Sequence, residues 1–275
     1  WGHNPVSTAP HLMPFIKRAQ QRGCKLVVID PLRSRSTRGA DLHLKPVPVY
    51  DAALALGVAR VLIDNGLHDN DWLNQHAHGF EAFRQQAMNY DLERVAAITG
   101  VDATQIFDFA LLYGTLKPAM IRLGDAINRN NQGGQTVRAI ASLPALTGQY
   151  GIRGGGMSCS TGDYFLWNDE AINHWQECPA PGRIINMNRI GAALCGEVSG
   201  PEIQSLFVFC ANPMISAPNT ARVKQGLQRE DLFTVVHDLF MTDTARQADI
   251  VLPATSHLEQ VVLHRGYGHT MLGFN

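Results

Sequence analysis

The chain has 275 residues, of which 45% are hydrophobic and only 17% charged. That charged share is well below the ~25% usual for a globular domain, so part of the surface is expected to face other protein. Lys and Arg number 23 against 24 Asp and Glu, a net charge of -1, which excludes the basic footprint of nucleic-acid or anionic-membrane binding.

No stretch approaches the ~20 uninterrupted apolar residues of a membrane-spanning helix, and no basic-then-apolar leader opens the chain. The five cysteines, at 24, 159, 178, 195 and 210, form no CxxC pair and no zinc or iron-sulfur spacing, so no metal ligand is expected within these residues.

In chain order, Pro14 suits a first helical turn, and Phe15 to Arg22 run to Gly23 at a helix C-cap position. Lys25-Leu26-Val27-Val28-Ile29 is a β-branched, apolar run typical of a strand buried in a parallel sheet, ending at Asp30-Pro31. Asp51, Asp91 and Asp102 are expected to cap helices over about 52–65, 92–99 and 103–114. Ala119 to Leu123 reads as a strand. Gly133 to Leu146 reads as a helix that Pro144 should kink or shorten. Five glycines within 148–156 and an irregular stretch from 157 to 204 suggest a boundary between two α/β units, 1–147 and 148–275.

The second unit carries the strand Ser205 to Cys210, ending at Ala211-Asn212-Pro213. A helix follows from about Thr220 to Gln228, then a strand from Leu232 to Asp238 and another from Ala248 to Pro253. Asn4 to Asp30 and Asp30 to Asp41 are separated by 26 and 11 positions, as are Asn212 to Asp238 and Asp238 to Asp249. Two matching intervals joined to matching Asn-Pro, strand-Asp and Ala-Asp signatures predict two copies of one βαβ device.

In open parallel sheets, ligands bind beyond the strand C-termini, where helix N-termini leave N–H groups free. Asn4 and Asn212 there would offer a donor and an acceptor. Asp30 and Asp238 would accept from a ribose or from the N–H edge of guanine. Each unit therefore reads as a nucleotide half-site. No GxGxxG or GxxxxGK[ST] occurs in these turns, so an ordinary dehydrogenase or P-loop enzyme is not indicated.

Trp1-Gly2-His3-Asn4-Pro5, Val28-Ile29-Asp30-Pro31 with Ala40-Asp41, Leu146-Thr147-Gly148-Gln149-Tyr150-Gly151 with Gly154-Gly155-Gly156, and Ala211-Asn212-Pro213 together resemble the molybdopterin oxidoreductases of the dimethyl sulfoxide reductase family. Asp238-Leu239-Phe240-Met241-Thr242-Asp243-Thr244-Ala245, leading to Ala248-Asp249-Ile250-Val251-Leu252-Pro253-Ala254-Thr255, is similar to a closing motif of that family.

The resemblance implies an α/β fold of two Rossmann-like parallel-sheet units related by an internal pseudo-repeat, as a fragment of a larger multidomain enzyme. It implies molybdenum or tungsten on bis-molybdopterin guanine dinucleotide. The first guanosine would be held by Gly2, Asn4, Asp30 and Arg33, and the second by Asn212, Asp238 and Asp243. Arg138 matches an arginine that lies close to the metal in some relatives, where a guanidinium could orient an anionic or oxo-bearing substrate. Asp249 is expected to fix a turn rather than to bind.

Two departures stand out. The chain reads Pro48-Val49-Tyr50-Asp51 where the family commonly has Pro-Gly-Thr-Asp or Pro-Gly-Ser-Asp, so the close approach that glycine allows is expected to be lost. Leu32 also intervenes before Arg33 where relatives often read Asp-Pro-Arg. The metal ligand and a 4Fe-4S cluster would precede Trp1, and a pterin-covering domain would follow Asn275. Expected partners are those flanking domains of the parent and an iron-sulfur electron-transfer subunit. The parent is expected to catalyse oxygen-atom or paired electron and proton transfer. The alternative is a non-catalytic electron-transfer or assembly subunit of the same fold.

Overall fold

The computed structural model describes residues 1–160, 164–177, 182–266 and 270–274. Cys178 lies outside the described residues. The helices are α1 (Pro5–Thr8), α2 (Met13–Gln21), α3 (Asp51–Asp64), α4 (Asn70–His76), α5 (Phe80–Ala87), α6 (Leu92–Thr99), α7 (Ala103–Thr115), α8 (Gly133–Leu146), α9 (Asp169–Asn173), α10 (Ile190–Leu194), α11 (Pro213–Ser216) and α12 (Thr220–Leu227). The strands are β1 (Val27–Ile29), β2 (Leu42–Leu44), β3 (Met120–Arg122), β4 (Gly156–Ser158), β5 (Ser205–Phe209), β6 (Phe233–Asp238), β7 (Ile250–Pro253), β8 (Leu263–Arg265) and β9 (Leu272–Phe274). The architecture is mixed α/β with parallel pairing in both of the compact units into which the chain divides.

In the first unit β1 pairs with β2 and β3 with β4, all parallel. Residues 1 and 2 join the two pairs: Gly2 donates its N–H to the Ile29 carbonyl at 2.9 Å, and Gly124 donates to the Trp1 carbonyl at 2.8 Å. The backbones approach so closely here that a Cβ on Gly124 would lie 1.9 Å from the Gly2 oxygen. Helix α3 is the apolar centre, burying Leu54, Val58 and Leu62 among Val95, Ile106, Ile140 and Leu143. Asp91 and Asp102 cap α6 and α7 through side-chain oxygens, as expected from sequence. Asp51 does not cap: it is the first residue of α3, and its carboxylate is taken by the Trp1 indole instead. Helix α8 runs through Pro144 to Leu146, because proline so near the C-terminus forfeits little of the hydrogen-bond ladder.

The division between compact units falls beyond residue 160, whereas the glycine-rich stretch suggested 147/148. Residues 148–160 stay with the first unit for a physical reason. Gln149 is fully buried and its side-chain oxygen accepts from the Ala119 N–H at 2.9 Å, while β4 completes a pair with β3.

The second unit is a parallel sheet in the order β5-β6-β7. Val208 and Val236 are buried on the face that also carries Leu206 and Val251, whereas Phe207, Phe209, Ile250 and Leu252 are exposed. A separate antiparallel pair joins β8 and β9. Among the described residues no single helix is long and apolar enough to cross a membrane.

Candidate functional site

In the first unit Asn4 precedes α1, whose first residue is Pro5; proline is tolerated there because its missing N–H is one the helix leaves unpaired anyway. The Ser36 hydroxyl donates to Asn4 Oδ1 and accepts the Val6 N–H at 3.2 Å. Asp30 follows β1, at the C-terminal end of the strand, and its Oδ1 accepts the Leu32 N–H at 2.8 Å. Gly2 holds φ +60, and a Cβ there would sit 2.7 Å from Ile127 Cδ1. The sequence-derived residues Gly2, Asn4 and Asp30 are thus brought to one end of the sheet. Arg33 is exposed in the turn beyond Asp30.

The second unit places Asn212 before α11, again with proline as the first helical residue. The Thr244 hydroxyl donates to Asn212 Oδ1 at 2.6 Å and accepts the Met214 N–H at 3.1 Å. Asp238 closes β6, with its Oδ1 accepting the Phe240 N–H at 3.0 Å. In both units the hydroxyl lies 32 residues beyond its asparagine. Asp243 is exposed in the turn between Thr242 and Thr244.

Asp41 and Asp249 serve the frame. Asp41 Oδ2 accepts the Leu26 N–H at 2.9 Å and Asp249 Oδ2 accepts the Thr234 N–H at 2.7 Å, each bridging two neighbouring strands from 15 residues away. Asp249, expected to begin a strand and fix a turn, lies immediately before β7 and ties it to β6.

The Pro48-Val49-Tyr50-Asp51 departure is instructive. Val49 holds φ +82, a left-handed conformation that glycine adopts freely and a β-branched residue adopts only under strain. The backbone path of a glycine turn is therefore kept although the glycine is absent. The turn is anchored by the Val47 N–H on the Thr99 carbonyl at 2.7 Å and leads into α3.

Sequence reasoning missed a polar group at the C-terminal ends of β3 and β4. The Cys159 thiol donates to Asp125 Oδ1 at 3.3 Å, and Arg122 Nη1 donates to Ser158 Oγ at 3.1 Å. Burial, and then the Asp125 carboxylate, push the Cys159 thiol pKa up. Burial and then Arg122 push His3 down. Paired-ligand spacing carries no signal for a thiol held by one carboxylate. Among the described residues no three His, Cys, Asp or Glu side chains converge on a point a metal could occupy. Arg138 lies on the exposed side of α8, and among the described residues its guanidinium has no hydrogen bond or ion pair.

Residues 1–263 match the family model described as molybdopterin oxidoreductase. A protein described as probable oxidoreductase YoaE from Bacillus subtilis is 41% identical over 98% of this chain. The assimilatory nitrate reductase catalytic subunit of the same organism is 30% identical over 94%. Acetylene hydratase from Pelobacter acetylenicus has a similar fold, with a TM-score of 0.77 at 26% identity over 93% of this chain and 40% of that one. The chain spans 39% of the length of each of the two Bacillus proteins. By the match of nearly its whole length to one family model, the chain belongs to the molybdopterin oxidoreductases.

Proposed function

We propose that this chain is the cofactor-holding segment of a molybdenum or tungsten oxidoreductase, and that each of its α/β units grips the guanosine end of one molybdopterin guanine dinucleotide. The observation that carries the reading is the recurrence of one hydrogen-bond pattern. Asn4 is joined to the Ser36 hydroxyl, and Ser36, Asp30 and Asp41 to backbone N–H groups, in the same way and at the same sequence separations as Asn212, Thr244, Asp238 and Asp249. That recurrence supports an internal pseudo-repeat and, with it, two like ligand sites.

The residues fit a nucleotide. Asp30 and Asp238 each use Oδ1 on their own turn, which leaves Oδ2 for a ribose hydroxyl or a guanine N–H edge. Gly2 and Gly124 let the backbones cross closely beside these residues, since a Cβ on either would meet Ile127 or the Gly2 oxygen. Arg33 and Asp243 would close over the ligand from the exposed turns. Arg138 would orient an anionic or oxo-bearing substrate. When bound, the pterin and its metal would supply oxygen-atom or paired electron and proton transfer, and these residues would position the cofactor and its substrate. Metal ligand, any iron-sulfur cluster, pterin cover and an electron-transfer partner belong to the rest of the parent. A non-catalytic electron-transfer or assembly role remains the competing reading.

The test is metal and pterin analysis of the full-length parent beside Asp238→Ala. Loss of a buried hydrogen bond to a charged group costs about 1–3 kcal/mol, so the variant should retain less cofactor. Asp108→Ala, on the exposed side of α7, is the control. A parent that holds neither metal nor pterin would favour the non-catalytic reading, and equal cofactor content in both variants would refute the role of Asp238.

A further inference from the structure

Asn4 and Asn212 are half-buried, and among the described residues neither amide nitrogen has a protein acceptor. A carboxamide can turn its oxygen or its NH2 toward a given partner, and the two orientations present opposite chemistry to a ligand. What decides between them here is a hydroxyl. Ser36 is 3% exposed and Thr244 0%.

Each hydroxyl accepts a backbone N–H, from Val6 and from Met214. An N–H can only donate, so the one hydroxyl proton must go elsewhere. Among the described residues the asparagine oxygen is the acceptor it finds. Flipping the amide would face NH2 toward the hydroxyl and strand that proton in a buried place, at the cost of an unsatisfied donor.

Resting on the two-dinucleotide reading, we infer that Ser36 and Thr244 are positioning residues: each buried hydroxyl pins the oxygen of its asparagine, and so commits both amide hydrogens of Asn4 and of Asn212 to the ligand. The ligand chemistry this selects is an acceptor-rich group such as a phosphate or a ribose oxygen. An unpinned amide would present its carbonyl oxygen to the same phosphate in a share of molecules and repel it. The arrangement also accounts for a hydroxyl, and not merely a small side chain, 32 residues beyond each asparagine.

The experiment uses the full-length parent made cofactor-free, with guanosine diphosphate as the probe in equilibrium titrations. Thr244→Val keeps the shape and removes the hydroxyl, both as donor to Asn212 and as acceptor of the Met214 N–H. It should weaken one class of site about tenfold, the range of a lost hydrogen bond to a ligand-orienting group. Asn212→Ala should weaken it equally, the double variant should be no weaker than Asn212→Ala alone, and Thr244→Ser should bind as the unmodified parent does. Ser36→Ala with Asn4→Ala gives the same comparison at the other class of site, and decides the matter if Thr244→Val fails to fold.

Hydroxyl variants that bind normally while the asparagine variants bind weakly would overturn the positioning role and leave the nucleotide sites standing. A double variant clearly weaker than Asn212→Ala would show Thr244 acting by another route, and would also overturn it. Unmodified parent that binds no guanosine diphosphate, or asparagine variants that bind it normally, would instead overturn the nucleotide reading itself.

Discussion

The Trp1 indole Nε1 donates to Asp51 Oδ1 at 2.6 Å, a buried bond that ties the residue before Gly2 to the first turn of α3. Trp1 is 8% exposed and its ring stands edge-on to Phe109 at 6.4 Å. The bond fixes both the crossing of residues 1 and 2 between the strand pairs and the end of the strained Val49 turn. Removing the donor with Trp1→Phe leaves a buried carboxylate short of one partner, which should cost about 1–3 kcal/mol in thermal or urea unfolding of the full-length parent.

The same carboxylate makes stability depend on pH. Burial is the largest influence and pushes Asp51 above its usual 3.8, while the Trp1 hydrogen bond opposes it. An acid whose pKa is higher folded than unfolded binds its proton more tightly in the fold. Its contribution is therefore complete below the unfolded pKa and is lost as pH rises through the folded one. Asp51→Asn keeps the oxygen that Trp1 needs and removes the titration. Its melting temperature should fall less than that of the parent between acid and neutral pH, and identical pH profiles would show that Asp51 is not carrying the effect.

Val49 supplies a prediction of opposite sign. A β-branched residue at φ +82 is strained, whereas glycine is at ease there. Against the relief of strain stands the greater freedom of glycine in the unfolded chain, so Val49→Gly should stabilise by a net of about 1 kcal/mol. No gain in unfolding midpoint would mean that the turn is not strained by its valine.

The frame was legible because its signals are local. Apolar β-branched runs gave β1, β5 and β6 to within two residues, and Asp91 and Asp102 announced their helices by cap chemistry. The spacing of Asn4, Asp30 and Asp41 against Asn212, Asp238 and Asp249 points to the two polar clusters. What stayed hidden depends on contacts distant in sequence. Asp51 has every local mark of an N-cap, and only the approach of Trp1, 50 residues away, redirects it. Ser36 and Thr244 look like ordinary turn residues until folding brings each to its asparagine. Gln149 read as part of a glycine-rich linker because nothing local says that its amide will accept from Ala119.

Gly124 tests the crossing itself. Its own φ of -95 is one any residue adopts, so alanine there strains nothing locally. The added Cβ would nonetheless meet the Gly2 backbone oxygen at 1.9 Å, with no flexible side chain to yield. Gly124→Ala should therefore cost several kcal/mol, beyond the ~0.5–3 of most substitutions, and should abolish cofactor retention in the parent. Gly134→Ala, where a Cβ meets nothing within 4 Å, is the matched control and should fold normally.

Arg138 separates stability from chemistry. Its side chain is exposed on α8, and its backbone carbonyl accepts the Ser142 hydroxyl whatever the side chain is. Nothing in the packing asks for a guanidinium, so Arg138→Ala should change unfolding free energy by no more than about 0.5 kcal/mol. If the guanidinium faces substrate in the parent, the same variant should lose kcat/KM by roughly tenfold or more, the scale of a charged hydrogen bond made to a reacting group. Arg138→Lys, which keeps the charge but not the planar fork, should recover only part of that loss. Dye-linked turnover by the metal-loaded parent is a suitable assay. An alanine variant with normal cofactor content and unchanged kcat/KM on a substrate the parent turns over would make Arg138 a surface residue and remove it from the catalytic site.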